Sequence, residues 1–420
     1  MHTSTHKFIV EDKQSFRNRM LNWANRFNIF CFLDHNDYKN SNASFDCLLA
    51  ADSTNEIRLS NNSSLNELHA FQATNKDWLF GHLNYPSAQN DPMGFPPGFF
   101  FTPVYLIILK GNEVTLQTSS ADPFTVFSEI EQTSNQMLRS SDASIQIEQL
   151  ISKHAYLQAL EKIKTHIQRG DCYEINFCQT FSATDVHVNP LWLFQRLNEV
   201  SPNPFAACYK WNNSYCLCAS PERFLAKKGN RLLSQPIKGT AKRDLKDWNE
   251  DAIIKDELRH SEKNKSENVM IVDLVRNDLS RICERGSVGV DELFGVYSFP
   301  QLHHMISTIS GTVDPQKHWT EMIEACFPMG SMTGAPKKRV MELIDTYEMN
   351  PRGLFSGTIG YIDPNGDFDF NVVIRSIFMN TALCSLSFMA GGGITINSDP
   401  QLEYEESLAK AAAIKLVLSQ

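Results

Sequence analysis

Ser220-Pro221-Glu222-Arg223-Phe224 is followed, after a short hairpin-like interval, by Gln235-Pro236-Ile237-Lys238-Gly239-Thr240. Each segment couples a charged side chain to a proline. A Glu and a Lys carried on neighbouring strands could act as general acid and nucleophile, or merely pair as ions, and the pattern alone favours the ion pair. A second set of carboxylates lies elsewhere. Glu403, Glu406 and Lys410 recur at helical spacing on one face. Glu267 sits in a run from Ser266 to Asp278 whose apolar stripe points inward between polar residues. Carboxylates from two helices are what a Mg²⁺ site needs when substrate oxygens and waters supply its remaining ligands. Either carboxylate taken alone reads as ordinary solvated charge.

Two glycine-rich stretches invite a phosphate reading and fail it. In Gly330-Ser-Met-Thr-Gly334-Ala-Pro-Lys337 the lysine does not follow the second glycine, Pro336 removes a donor, and no Ser or Thr follows Lys337, so this is not a P-loop. Ala390-Gly391-Gly392-Gly393-Ile394 lacks the spacing and the following helix of a dinucleotide fingerprint. What remains is a backbone free to approach a ligand closely, or a bulge or tight turn.

Bulk properties narrow the function classes. With 39 Lys plus Arg against 48 Asp plus Glu the formal charge is −9, a field that repels nucleic acid. The longest apolar run, Val104 to Leu109, falls far short of the roughly 20 residues that span a bilayer, and the opening residues lack the apolar core of a secretory signal. The expectation is a cytoplasmic chain with no membrane partner. Its ten cysteines contain no CxxC pair and read as reduced, buried side chains.

The elements that must position these residues follow from periodicity. The chain's 420 residues allow up to about three domains or one large intertwined unit. Residues 1–145 alternate short apolar runs with polar turns and read as a mostly β region, with Thr118 to Ser144 as a candidate linker to a region spanning 150–420. Tyr156, Leu160, Ile163 and Ile167 recur at helical spacing up to Gly170. Cys172 to Phe181 then alternates, with Tyr173, Ile175 and Phe177 opposite Cys172, Glu174, Asn176 and Cys178. Trp248 to Ile282 reads as a long charged helical run, Phe370 to Met379 as one strand, and Leu402 to Leu418 as a closing helix. Strands and helices mix without a strict βαβ rhythm, which predicts an α+β fold with large antiparallel sheets.

Taken together, these segments resemble one family, the chorismate-utilising enzymes. The resemblance is carried, in the family's order, by Gly170-Asp-Cys-Tyr-Glu-Ile-Asn176, Ser220-Pro-Glu-Arg223, Pro236-Ile-Lys-Gly-Thr240, Glu267-Asn-Val-Met-Ile-Val-Asp-Leu274 with Arg276-Asn-Asp278, His303-His-Met-Ile-Ser-Thr308, Gly330 to Lys337, Ala390-Gly-Gly-Gly393 and Glu403-Tyr-Glu-Glu406. It implies antiparallel sheets packed as a sandwich with flanking helices. Within the family the chain looks most like the branch that aminates chorismate to 4-amino-4-deoxychorismate, toward 4-aminobenzoate and folate, because Lys238 stands where anthranilate-forming members usually carry Ala.

The resemblance implies roles residue by residue. Glu267, Glu406 and Glu403 would hold Mg²⁺ on the ring carboxylate, Lys238 would attack C2 as the 4-hydroxyl leaves, and Glu222 would protonate the departing oxygen. Arg375 and Lys410 would clamp carboxylates, Gly391 and Gly393 would offer backbone donors, and Gly239, Thr240, His304, Ser331, Thr333 and Phe355 would line the substrate pocket. Ammonia is expected from a separate glutamine amidotransferase, since the chain has no recognisable amidotransferase nucleophile segment. Lys238 must be neutral to attack, although an ordinary lysine titrates near 10.4. Burial, with repulsion from Lys242 and Arg243, is expected to lower it beside a protonated Glu222. Two positions depart from the family pattern: Glu174 stands where aminating members often have Gln and isochorismate-forming members a Lys base, and Phe355 where anthranilate-forming members often place Tyr. The alternatives are an anthranilate-forming enzyme, opposed by Lys238, and a chorismate-binding regulatory subunit without catalysis, opposed by the intact Glu222, Lys238, Glu267 and Glu406.

Overall fold

The computed structural model describes residues 3–38, 45–61, 63–139 and 145–420. Strand Ile29–Asp34 shows how its main layers arise. Ile29 and Cys31 point into one core while Phe30 and Phe32 point into another, so successive side chains face opposite sides of the sheet and both sides are covered.

One leaf runs, antiparallel throughout, through Glu113–Thr118, Gly98–Lys110, Cys47–Leu59, Ile29–Asp34, Phe205–Trp211, Ser214–Ser220, Ser376–Asn380, Ser385–Ile394 and Glu174–Ala183. The long strand Gly98–Lys110 continues into the second leaf, where Leu79–Leu83, Thr358–Ile362, Phe368–Asn371, Arg223–Lys228, Arg231–Gln235, Leu302–Thr312 and Gly289–Ser298 follow in order. The largest core, including Cys31, Phe80, Phe100, Leu225 and Phe370, draws on strands of both leaves and on helices Glu262–Ser280 and Trp319–Cys326. A second core packs Lys13–Ala24, Pro123–Gln132, Pro190–Val200 and the end of Pro400–Leu418 on the outer face of the first leaf. The α+β sandwich with flanking helices is therefore the observed fold. The region 1–145 is woven into the rest: Ile29–Asp34 pairs with Phe205–Trp211, and Leu79–Leu83 with Thr358–Ile362.

Three local expectations change. The linker segment Thr118 to Ser144 contains a helix, Pro123–Gln132, started by the Asp122 carboxylate on the Thr125 amide and by proline in the first turn, with Val126 and Ile130 buried one turn apart. Its residues 140–144 lie outside the described residues. The long run from Trp248 is two helices, Trp248–His260 and Glu262–Ser280, because the Ser261 side chain leaves the first and caps the Asn264 amide of the second. The strand expected over Phe370 to Met379 is interrupted between Phe368–Asn371 and Ser376–Asn380, with Arg375 at φ +52° in the gap.

Helix Lys153–Gln168 begins at Ser152, buries Tyr156, Leu160, Ile163 and Ile167, and gives way to Gly170 at φ +82°, as its spacing predicts. All ten cysteines are free, and nine are buried. Among the described residues no helix is long and apolar enough to cross a membrane.

Candidate active site

A bulge aims Lys238. Strand Ile237–Lys242 pairs with Leu302–Thr312 at Ile237↔Ile306 and then at Thr240↔His304, so the register slips over Lys238 and Gly239. A bulge of this kind re-aims a side chain, and Lys238 reaches a cavity between the leaves and the last helix. Gly239 takes φ +96°, and a Cβ there would stand 3.1 Å from Asn264 Cβ. Only glycine fits such a position without strain.

Glu222 enters from the other side, just past strand Ser214–Ser220, where its amide donates to Ser220 Oγ at 3.2 Å. It is 4% exposed. Burial pushes its carboxyl up to about 7, against the pull of the Ser331 hydroxyl, the Ile237 amide and the charges of Lys238 and Arg375. A group near 7 is suited to deliver a proton at neutral pH.

Lys238 is 8% exposed and its ammonium is paired with the Glu174 carboxylate. Burial works to lower its pKa, but Glu174, Glu267 and Glu222 together outweigh burial, and the net shift is upward. The expectation that burial lowers this lysine is therefore corrected: its acidic neighbours, Glu174 first, outweigh burial. Lys242 and Arg243 do not press on it, since Lys242 is exposed and Arg243 is bound to Asp251 at 2.7 Å.

The strand break brings Arg375 into the same cavity, where its Nη2 donates to His304 Nε2 at 3.1 Å. An arginine only donates, so His304 carries its hydrogen on Nδ1 and donates it to Thr240 Oγ1 at 3.0 Å. Burial, followed by the charges of Arg375 and Lys410, keeps this histidine neutral. Burial also lowers Arg375 to about 10, leaving a charged guanidinium at neutral pH.

The carboxylate cluster lies on two helices, as the spacing predicts. Glu267 comes from Glu262–Ser280, and Glu403 and Glu406 from Pro400–Leu418; all three line the cavity. Burial drives Glu267 up to about 7, and its Oε1 is buried without a hydrogen-bond partner. Lys410 holds Glu406 below the usual carboxylate range and also donates to the Gly391 carbonyl at 3.0 Å. Lys263 lies between Glu403, at 3.1 Å, and Glu267, at 3.9 Å. These oxygens, including a Glu267 Oε1 that has the distant Lys263 charge but no hydrogen bond, suit a hard divalent cation completed by substrate and water. Among the described residues, however, no three acidic, His or Cys side chains are already gathered as a metal shell.

Gly391, Gly393, Ser331 and Phe355 line the cavity, whereas Thr333 lies behind its wall, with its hydroxyl on the Met329 carbonyl at 3.0 Å and its own carbonyl on the Asn176 amide at 2.7 Å. Sequence reasoning missed Asn176, Lys263 and Asn264 in the lining; the first stood in a quoted motif and the others at helical spacing before Glu267. Lys337 is outside the cavity, bound to Asp278 at 2.7 Å.

A family model described as chorismate binding enzyme matches residues 25–416. The chain is 39% identical over 267 residues to aminodeoxychorismate synthase component 1 of Klebsiella aerogenes, an alignment covering 63% of this chain and 58% of that protein. It is 31% identical over 345 residues to the anthranilate synthase component I-like protein of a Synechocystis species, covering 81% of this chain and 70% of that one. In structure it is similar to anthranilate synthase component I from Streptococcus pneumoniae, with TM-score 0.78 and 24% identity over 90% of this chain and 93% of that one. The chain spans little more than half of the Klebsiella protein.

Proposed function

The chain belongs to the chorismate binding enzymes, and from that premise we propose that it is the synthase component that converts chorismate and ammonia to 4-amino-4-deoxychorismate. The single observation that carries the reading is Lys238, a buried amine aimed by a bulge into the cavity that also holds Glu222, Arg375 and the three glutamates. The identity to relatives named aminodeoxychorismate synthase component 1 supports the same choice.

In this reading Arg375 and Lys410 supply positive charge for the substrate's carboxylates, with neutral His304 fixing the guanidinium. Glu222, raised to about 7 by burial and so partly protonated at neutral pH, gives its proton to the 4-hydroxyl as Lys238 bonds to C2. Ammonia then adds at C4 and the lysine leaves. Glu267, Glu403 and Glu406 would hold Mg²⁺, which when bound supplies Lewis-acid polarisation of the ring carboxylate. Lys263 must move aside for that ion, because its ammonium occupies the space between two of those carboxylates. The ammonia source is a glutamine amidotransferase subunit, a partner suggested by the relatives' designation as component 1. Nine buried, unpaired cysteines support work in the reducing cytoplasm.

Purified protein given chorismate, Mg²⁺ and ammonium should yield aminodeoxychorismate by mass spectrometry, and Lys238→Ala should lose that product and gain anthranilate. Anthranilate from the unaltered protein would overturn the assignment; an unchanged product from the variant would remove the covalent role.

A further inference from the structure

Two buried ion pairs in the molecule differ in how fully their oxygens are satisfied. Arg352 meets Glu348 at 2.6 Å; Glu348 Oε1 also accepts the Cys178 amide at 2.8 Å, and Oε2 accepts Arg352 Nε at 2.8 Å. Both carboxylate oxygens have partners, as a charge buried for structure requires. Glu174 is different. Its Oε1 meets the Lys238 ammonium, while its Oε2 is buried without a hydrogen-bond partner, although the residue is only 1% exposed. A Cβ at position 393 would stand 2.7 Å from both Glu174 Oε1 and Lys238 Nζ, so the pair fills space that Gly393 leaves open. Moving the proton across this contact turns two buried charges into two neutral groups, and a carboxylate with so few donors is the partner best able to receive it.

We propose that Glu174 is a catalytic residue, accepting the proton from Lys238 Nζ as the amine bonds to C2 of the ring and returning it when the amine departs. This rests on the reading of Lys238 as nucleophile. The protons balance. Glu174 takes one from the ammonium; the freed amine bonds to C2 as the C4–O bond breaks, and Glu222 protonates the leaving hydroxyl, which departs as water. Ammonia then bonds to C4, the C2–N bond breaks, Glu174 returns its proton to Lys238, and the new ammonium group gives one back to Glu222. Both acids end as they began, and the only by-product is water.

The charged groups facing the pair are Glu222, Glu267 and Lys263, Arg375, and Glu403, Glu406 and Lys410 of the last helix, with neutral His304 on the neighbouring strand. The carboxylates favour the protonated lysine of the free protein. Transfer therefore accompanies attack on the bound ring, when the lone pair freed on Lys238 is taken up by the new bond to C2.

The test follows adduct formation on Lys238 by peptide mass spectrometry, with chorismate and Mg²⁺ present and ammonia omitted, across neutral to alkaline pH. The unaltered protein should form the adduct at a rate that does not climb with pH, level below about 7 and falling above it as Glu222 loses its proton. Glu174→Gln should be slower by about 10²-fold or more near pH 7, with the deficit shrinking about tenfold per pH unit as solvent removes the proton instead. Glu174→Asp should restore the profile of the unaltered protein at reduced rate. A Glu174→Gln protein matching the original at every pH overturns the inference, and so does a deficit that is the same at every pH, which would mark a structural role. Should that variant fail to fold, an adduct rate in the unaltered protein that climbs steadily into the ordinary lysine range overturns it equally. Absence of any adduct in the unaltered protein instead overturns the nucleophile reading itself.

Discussion

Glu222 shows how burial sets the chemistry of one side chain. Its carboxyl lies near 7 chiefly because the protein withdraws it from water, and the sign has two consequences. In the proposed reaction it donates a proton and works only while protonated, so the rate should fall as pH rises past about 7, and Glu222→Gln should lose about 10² to 10⁴ in kcat with that limb removed. As a group whose folded pKa exceeds its unfolded one, it contributes stability at acid pH that is lost as pH climbs from the ordinary carboxylate range through about 7. The substrate-free protein should therefore melt at lower temperature at pH 8 than at pH 5.5, and Glu222→Gln should flatten the difference; an unchanged slope in differential scanning calorimetry would show that Glu222 does not carry it. The Glu222 and Lys238 segments stood out in the sequence because each couples a charge to a nearby proline across a short interval, but that pattern alone favoured an ion pair and their roles came from the family resemblance. The charge state of Lys238 was not legible, because it depends on Glu174 and Glu267, which are distant in sequence and adjacent only after folding.

At the scale of elements, the site is made by irregularities in otherwise regular strands. The bulge at Lys238–Gly239 aims the amine, and the break before Ser376 turns Arg375 inward. Period-two alternation cannot announce either interruption, which is why Phe370 to Met379 reads as one strand. The helices were easier: the stripes of Glu262–Ser280 and Pro400–Leu418 place Glu267, Glu403 and Glu406 correctly on the cavity side. Lys263, one turn before Glu267, sits between Glu267 and Glu403, so a divalent ion held there as proposed would displace a cation already present. Lys263→Met should bind Mg²⁺ roughly tenfold more tightly in isothermal titration calorimetry, the equivalent of one charge-assisted hydrogen bond released. Unchanged or weaker binding would place the ion elsewhere.

At the scale of the whole molecule, the early strands are not a separate module in space. Ile29–Asp34 and Leu79–Leu83 each pair on one side with an early strand and on the other with a strand from beyond residue 200, and the largest core draws on both regions. Residues 150–420 expressed alone would expose the apolar faces that Phe30, Phe80 and Phe100 cover, together with unpaired strand edges. That fragment should show no cooperative thermal transition and should aggregate, whereas the full chain melts as one unit. A fragment with a sharp transition of its own would mean that the shared sheets are dispensable.

Local pattern by itself determined the α+β class and the helices with buried stripes and clear caps, while likeness to a known family singled out the short segments that hold Glu222, Lys238, Glu267, Glu403 and Glu406. These depend on neighbours within a turn or two of the chain, which a linear reading contains. Tertiary structure alone decided that Thr333 stands behind the wall, that Arg375 meets His304, and that Lys238 is a paired ammonium rather than a free amine. Each of those outcomes depends on which distant strands lie side by side and how much water they exclude, and the balance between burial and opposing charge exists only once the sheets have closed.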